Sequence, residues 1–283
     1  EEMKFPAQLI SLVMLTGFLV CCTERIDLDL DDSTVKLVVD GAVTTDTAVH
    51  TVRLSKTTSY YFSEEPPRVA GAYVTLSSET GVTQLSETSP GFYQTKADFH
   101  GIAGVTYTLN IRLAAPVGGF TNYSASATLN KTVELDSLQL WFYPEFSEEG
   151  FWEIRGFFQD PPSPDYYRFL VSRNSQLISN SINDWFVTDD KFINGSYANG
   201  TAVYYLDQGS EYEMLVPGDT VTVELNNLGK EYFGFLQEAQ AELRGSNPLF
   251  SGPPANVKGN ISNGAIGFFA AYSVSRASVT VSD

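Results

Sequence analysis

The residue types that most often carry out catalysis are scarce in this chain. It contains two histidines and two cysteines among 283 residues. His50 and His100 have no partner at a spacing typical of a catalytic pair, and the sequence has no Gly-x-Ser-x-Gly elbow, phosphate-binding glycine loop or zinc-protease helix. The inventory excludes multi-ligand zinc sites, iron–sulfur clusters and disulfide frameworks. We therefore predict no catalytic residues, no metal ligands and no cofactor.

The carboxylates of Asp and Glu are the remaining side chains that could carry out catalysis or bind a metal. The chain has 34 Asp and Glu against 17 Lys and Arg, which gives a net charge of −17 and excludes nucleic acid as a partner, because no basic stripe can neutralise phosphates. Acidic doublets such as 189–190 are poor acid–base pairs, since neighbouring side chains on a strand point to opposite faces. A calcium site over 184–190 would have oxygen ligands but lacks EF-hand spacing. A hydrolase that uses a carboxylate pair not visible in the sequence is one alternative.

The two cysteines lie at the end of an apolar run. Residues 9–20 are too few and wrongly flanked for a stable membrane span, and they predict a signal peptide over 1–21. The run ends in a segment that resembles the bacterial lipobox, with Leu19 at position −3 and Cys21 at −1 relative to Cys22. We predict a covalent lipid anchor on Cys22, whose acyl chains hold the protein to a membrane. An ordinary signal peptide is the alternative.

The spacing of apolar residues beyond this region predicts a mostly β protein. Apolar residues alternate with polar ones over 105–113, the pattern of a half-buried strand, and turn residues separate many such segments. Over 230–244 the period changes to that of an amphipathic helix, which we expect to cover a sheet face. The predicted organisation is an acidic tether at 22–33, an immunoglobulin- or fibronectin-like sandwich domain at 34–131, and a second β-rich domain at 132–283 with a helix at 230–244.

Aromatic clusters on predicted loops are the candidate binding residues. Three adjacent aromatics, Tyr60, Tyr61 and Phe62, come before a pair of prolines, and Trp141 and Trp185 lie in two similar clusters. Exposed aromatic side chains bury large areas at low entropy cost, which favours interfaces. The alternative is that these rings fold back as plugs on the ends of a sandwich.

Many segments in a fixed order resemble one family of bacterial lipoproteins. They are 22–28, 37–41, 50–55, 66–76, 88–95, 104–109, 160–162, 166–168, 246–250, 253–256, 261–269 and 272–276. Together they cover essentially the whole chain after the signal peptide. The chain thereby resembles the Bacteroidota lipoprotein family known as domain of unknown function 4249.

The resemblance implies an outer-membrane lipoprotein with a TonB-dependent receptor as partner. The acidic tether after Cys22 is similar to the surface-export signals of Bacteroidota lipoproteins, which predicts that the anchored protein faces the cell surface; an ordinary solvated linker is the alternative. The family has no established catalytic residues to carry over. We expect a non-catalytic accessory or ligand-capture subunit of the transporter; a stand-alone glycan- or peptide-binding module, with Trp141, Trp152 or Trp185 stacking on sugar, is the alternative. The segment 46–48 also resembles the O-glycosylation motif of Bacteroidota, which makes Thr47 a candidate for modification.

The lipid anchor can be tested by substitution. We expect Cys22→Ser to release the protein from membranes, whereas Cys21→Ser leaves it attached, because only Cys22 carries the acyl chains. Fractionation of cells expressing each variant measures this. An inhibitor of lipoprotein signal peptidase should leave a heavier precursor. Recovery of the Cys22→Ser protein in membranes after a high-salt wash would contradict the lipobox interpretation.

Overall fold

A computed structural model describes residues 35–58, 65–145, 148–244 and 257–282. The predicted signal peptide, the tether, Cys22 and the aromatic cluster Tyr60–Phe62 lie outside these residues. Within them the chain forms three β-sheets and one α-helix, and no helix is both long and apolar enough to cross a membrane. The predicted fold class, mostly β with sandwich-like layers and one helix, is confirmed.

One long sheet forms the centre of the fold. Strands are numbered in chain order, and the parallel pair β1–β16 is flanked by antiparallel neighbours. In spatial order the sheet contains β12 (Gln176–Leu177), β11 (Tyr166–Arg173), β15 (Thr220–Leu228), β16 (Ile266–Thr280), β1 (Leu37–Thr44), β2 (Thr51–Lys56), β6 (Phe92–Gln94) and β5 (Ser86–Ser89), with β13 (Phe186–Asp189) also paired to β11.

Two smaller antiparallel sheets complete the strand set of the described residues. The first contains β4 (Gly81–Gln84), β3 (Tyr73–Ser78), β7 (Thr106–Val117) and β8 (Phe120–Thr128). The second contains β14 (Tyr197–Asp207), β10 (Phe151–Gln159) and β9 (Leu135–Tyr143). Each packs with one part of the central sheet around its own hydrophobic core. This layering follows from the period-2 alternation of the strands, which makes one face of each apolar.

The two cores meet at strand β16. Phe269 and Ala271 lie in the first core, and Ala277 and Val279 pack against the second. The polar stretch 273–277 of this strand stays paired with β15, so Ile266–Thr280 is one continuous strand. Its buried Ser275 accepts a hydrogen bond from the backbone N–H of Leu135, at 2.7 Å.

The expected domain boundary near residue 131 falls between the two cores, whose nearest members are Leu129 and Val133. This connection is itself bonded to the central sheet. The carbonyl oxygen of Lys131 accepts hydrogen bonds from Ser273 Oγ at 3.0 Å and from Asn227 Nδ2 at 3.2 Å. Chain contacts place Val35–Asp283 in one compact unit.

Helix α1 (Lys230–Leu243) follows β15 after Gly229 and lies over the central sheet. The ring of Phe233 contacts that of Tyr166 at 4.7 Å between centroids, and Phe235 contacts Phe268 at 5.0 Å. A short 3-10 turn (Ile182–Asp184) is held against the helix, since Gln240 Nε2 donates to the Ile182 carbonyl oxygen at 2.7 Å.

The parallel pairing of β1 with β16 requires a glycine at Gly267. Its φ is +100°, and a Cβ at this position would lie 1.9 Å from the carbonyl oxygen of Val39, its partner in the register. On the other side of the strand, a Cβ on Gly259 would lie 2.0 Å from the carbonyl oxygen of Gly267. Three backbone segments therefore pass each other at a distance that only glycine allows.

We expect Gly267→Ala to lower the free energy of unfolding by more than about 3 kcal/mol, because backbone strain of about 1–3 kcal/mol adds to the overlap with a backbone oxygen. The matched control is Gly264→Ala, where φ is +70° but no atom lies within 4 Å of the added Cβ. The control should lose only about 1–2 kcal/mol. Urea denaturation of both variants measures the difference, and equal losses would show that the close approach at Gly267 is unimportant.

Candidate functional site

A groove of about 890 Å³ lies on the face of the central sheet that points away from the two cores. Strands β1, β2, β6, β11 and β16 contribute to it from the sheet, and α1 and the 3-10 turn line it from the other side. Its aromatic lining residues are Phe92, Trp185, Tyr232, Phe235, Phe268 and Tyr272.

The alternation of β11 places an arginine in this groove. Tyr167 and Phe169 belong to the second core, so the intervening side chains of Arg168 and Leu170 point to the opposite face, where both line the groove. Arg168 is only 3% exposed. A cation buried this deeply needs compensating contacts.

The contacts of the Arg168 guanidinium are with neutral groups. Its Nε and Nη2 both donate to Asn226 Oδ1, at 2.9 and 2.7 Å. The guanidinium carbon lies 4.5 Å from the ring centroid of Trp185 and 4.8 Å from that of Tyr272. Nη1 lies 3.5 Å from the hydroxyl of Tyr232. Cation–π contacts of this kind stabilise a buried charge without neutralising it.

The nearest carboxylate in this network is bound to a different arginine. Asn226 Nδ2 donates to Glu224 Oε1 at 2.9 Å, but Glu224 Oε2 pairs with Arg276 at 2.6 Å. Arg276 also pairs with Asp46 at 2.6 Å. Burial by itself lowers the pKa of Arg168, but Tyr272, Tyr232 and Glu224 bring it above its ordinary value, so Arg168 stays cationic.

The structure separates the two predicted tryptophans. Trp185 lines the groove, and its indole N–H donates to the carbonyl oxygen of Ser179 at 3.0 Å. Trp141 lies on β9 in a different sheet and is 47% exposed.

Thr47 is exposed in the bend between β1 and β2. His50 is buried at the groove, and this burial lowers its pKa.

Trp141 belongs to an exposed group of rings on the sheet β14-β10-β9. Register places Trp141, Glu153 and Tyr205 in one row across the three strands. The next row contains Tyr143 and Phe151, whose centroids lie 5.2 Å apart, and Phe151 also meets Tyr205 at 5.8 Å. These four rings of Trp141, Tyr143, Phe151 and Tyr205 are called the aromatic face below.

A charged pair lies among these rings. The Arg155 guanidinium lies 4.9 Å from the centroid of Trp141 and donates to the hydroxyl of Tyr143 at 3.0 Å. It also binds the carboxylate of Glu153. The aromatic face therefore has hydrogen-bonding groups between its rings, and their charges cancel. Sequence reasoning identified the cluster of Trp141 on β9 but not Phe151 and Tyr205, because cross-strand pairing with β10 and β14 brings these rings to it.

Three buried aspartates meet in a second cluster. Asp160, Asp165 and Asp190 have carboxylate oxygens within 4.8 Å of one another, and none of the three has an ion pair among the described residues. Such oxygens are the ligands that Ca²⁺ prefers, so this set could hold a divalent cation. Asp190 lies in the range considered from the sequence, whereas Asp184 caps the 3-10 turn instead. The other two members come from the proline-rich turn 160–165, and only the fold unites them with Asp190.

Hydrogen bonds support the ionised form of Asp160 despite its burial. It accepts from the hydroxyl of Tyr167 and from the backbone N–H of Gly195, the latter at 2.9 Å. Burial raises the pKa of Asp160, and the charges of Asp190 and Asp165 add to this effect, while the two donors oppose it. The raised pKa means that the stability contributed by this carboxyl is fully present at low pH and is lost as the pH rises through that pKa.

We expect Tyr167→Phe to lower the free energy of unfolding by about 1.5–3 kcal/mol at pH 7, because the ionised Asp160 loses a donor. The loss should shrink as the pH falls and Asp160 becomes protonated. Urea titrations from pH 8 to pH 4, with a chelator present, measure this trend.

The matched control is Tyr197→Phe, which removes an exposed bond of 2.9 Å to Asp136. Its cost should stay within about 0.5 kcal/mol. A loss for Tyr167→Phe that is independent of pH would show that the phenol does not support the charge of Asp160.

A comparison with known protein families supports the family resemblance seen in the sequence. The family model described as "Domain of unknown function (DUF4249)" matches residues 23–278. A search of curated proteins gives no match. The matched span includes most of β16 and every other described strand, together with the helix. The resemblance seen in the sequence is thus confirmed, and the chain belongs to the DUF4249 family.

Proposed function

We propose that this protein is a non-catalytic accessory subunit of a TonB-dependent outer-membrane transporter. A lipid on Cys22 anchors it to the outer membrane at the cell surface, and it holds the receptor or captures ligand for it. The sequence supports the anchor and the location through its lipobox-like segment and its family resemblance. The structural observation that carries this proposal is the aromatic face.

The aromatic face has the properties of an interface centre. Antiparallel sheets that face water on one side usually present polar residues there, but Trp141 and Tyr205 are 47% and 54% exposed. Large rings held by neighbouring rings and by Arg155 have little conformational entropy left to lose on binding. Truncation of an aromatic residue at the centre of an interface commonly costs about 2 kcal/mol or more.

The charge of the chain restricts the kind of surface that a partner can present to the aromatic face. The net charge is −17, whereas the centre of the aromatic face carries the neutralised pair Glu153–Arg155. A partner surface with an apolar centre and a neutral or basic rim would match both features. An acidic rim on the partner would be repelled by the charge of this chain.

A second candidate function is stand-alone glycan binding on the same surface. The observation that favours it is the mixture of rings and planar hydrogen-bonding groups, since Arg155 contacts both Trp141 and Tyr143 and binds Glu153. Sugars present apolar faces that stack on rings and hydroxyl groups that bond to such side chains. The two functions predict different outcomes when the co-purified proteins and the binding of oligosaccharides are measured.

We expect the double variant Trp141→Ala/Tyr205→Ala to reduce recovery of the receptor at least about tenfold, because it removes two exposed rings from the interface. The experiment purifies the lipoprotein from detergent-solubilised outer membrane and quantifies co-purified proteins by mass spectrometry. Thermal melting of the variant should match that of the wild type, since both rings are half exposed.

The matched control is Tyr73→Ala/Phe120→Ala, which removes two rings of 46% exposure from the other small sheet. This control should retain the receptor. Equal recovery from both double variants would contradict the proposed interface. Oligosaccharide binding by the purified wild type that the Trp141→Ala/Tyr205→Ala variant lacks, without receptor recovery in either, would favour the glycan-binding alternative.

A further inference from the structure

We propose that the groove on the central sheet binds a small organic anion with a flat apolar body, and that Arg168 holds the anionic group. This inference does not rest on the transporter role, because the groove and the aromatic face lie on different sheets. The charge of Arg168, its burial and the shape of the groove indicate the class of ligand.

Arg168 is the only charged side chain without a salt bridge among the described residues that line the groove. The other charged side chains there, Asp40 and Arg53, bind each other at its exposed rim. His50 has a lowered pKa because of its burial and is neutral at pH 7. The groove therefore carries a net positive charge, in a protein whose total charge is −17.

The contacts of Arg168 also differ from those of the arginines that form salt bridges. Arg53, Arg155 and Arg276 each bind a carboxylate and are all more exposed than Arg168. Arg168 contacts the amide oxygen of Asn226, a tyrosine hydroxyl and the faces of rings. A buried cation with neutral partners is costly, and an anion entering from the groove would supply the missing charge.

The geometry suits a planar anion. A guanidinium has five N–H groups in a rigid fork; with Nε and one N–H of Nη2 bound to Asn226, the edge formed by Nη1 and Nη2 is the one that can bind a carboxylate, sulfonate or phosphate group with two parallel bonds. Asn226 fixes the orientation of the fork by accepting from Nε and Nη2, and Glu224 in turn fixes Asn226. An arginine held in this way has already lost the side-chain freedom that binding would otherwise cost.

The remaining walls suit an apolar, flat body. Tyr232 and Tyr272 are stacked with only 8° between their planes, and Phe268 packs against Tyr232 at 5.1 Å. Phe235, Leu236 and Leu170 extend the apolar lining. The volume of about 890 Å³ lies within the range typical of sites for small molecules.

A pair of fluorescent probes that differ in one charged group tests this inference. 8-Anilinonaphthalene-1-sulfonate has a flat apolar body and an anionic group, and N-phenyl-1-naphthylamine has the same rings without the sulfonate. We expect saturable binding of the sulfonate by the wild type. Arg168→Met should weaken that binding about tenfold to hundredfold, the effect of one lost charged hydrogen-bonding partner, and should leave the affinity for the neutral probe within about threefold.

Two controls separate the groove from other surfaces. Arg112→Met removes an arginine that lies 5.2 Å from the ring of Tyr73 on another sheet, and it should change neither affinity. Trp141→Ala/Tyr205→Ala removes the aromatic face and should also leave sulfonate binding unchanged. Loss of sulfonate binding in the second control would place the probe on the aromatic face and overturn the inference, whatever the fate of the proposed transporter role.

A second variant decides the outcome if Arg168→Met loses its cooperative thermal transition. Thr51→Trp keeps Arg168 and fills the groove from β2, where Thr51 is half-buried. It should weaken the binding of both probes at least about tenfold. Unchanged sulfonate binding by Thr51→Trp, or by a folded Arg168→Met protein, would overturn the inference.

Discussion

Strand β16 joins the two halves of this protein, because it pairs with β15 along one edge and with β1 along the other. Both cores include or contact its side chains, and the connection between them is bonded to its serines. The parallel pairing with β1 depends on a backbone approach that only Gly267 permits. Neither sandwich can therefore complete its core until the end of the chain has been added to the central sheet.

The same strand determines where the groove lies. Its alternating side chains supply Phe269 to the first core and Phe268 and Tyr272 to the opposite face. Helix α1 follows β15 with only Gly229 between them and covers part of that face. The uncovered part next to the helix becomes the groove, and the alternation of β11 places Arg168 inside it.

The fold thus carries two surfaces with different physical characters. The aromatic face is open, lies on a three-stranded sheet and has a neutralised charge pair at its centre. The groove is concave and contains one buried cation that lacks a carboxylate partner among the described residues. An open aromatic surface suits a macromolecule or a sugar chain, whereas a concave cationic one suits a small anion. The two surfaces belong to different sheets.

The β class, the helix at 230–244 and the family could be predicted from residue patterns, because alternation, helical period and ordered segments are local properties of the chain. The same patterns identified Trp141 and Trp185 as candidate binding residues, but not their different surroundings. The folded structure was needed to show that Arg168 is buried without a carboxylate partner among the described residues, that Asp160 and Asp165 meet Asp190, and that four rings share one face. Those features depend on strand register and on pairing between segments distant in the chain, and local sequence patterns do not encode which segments will become neighbours.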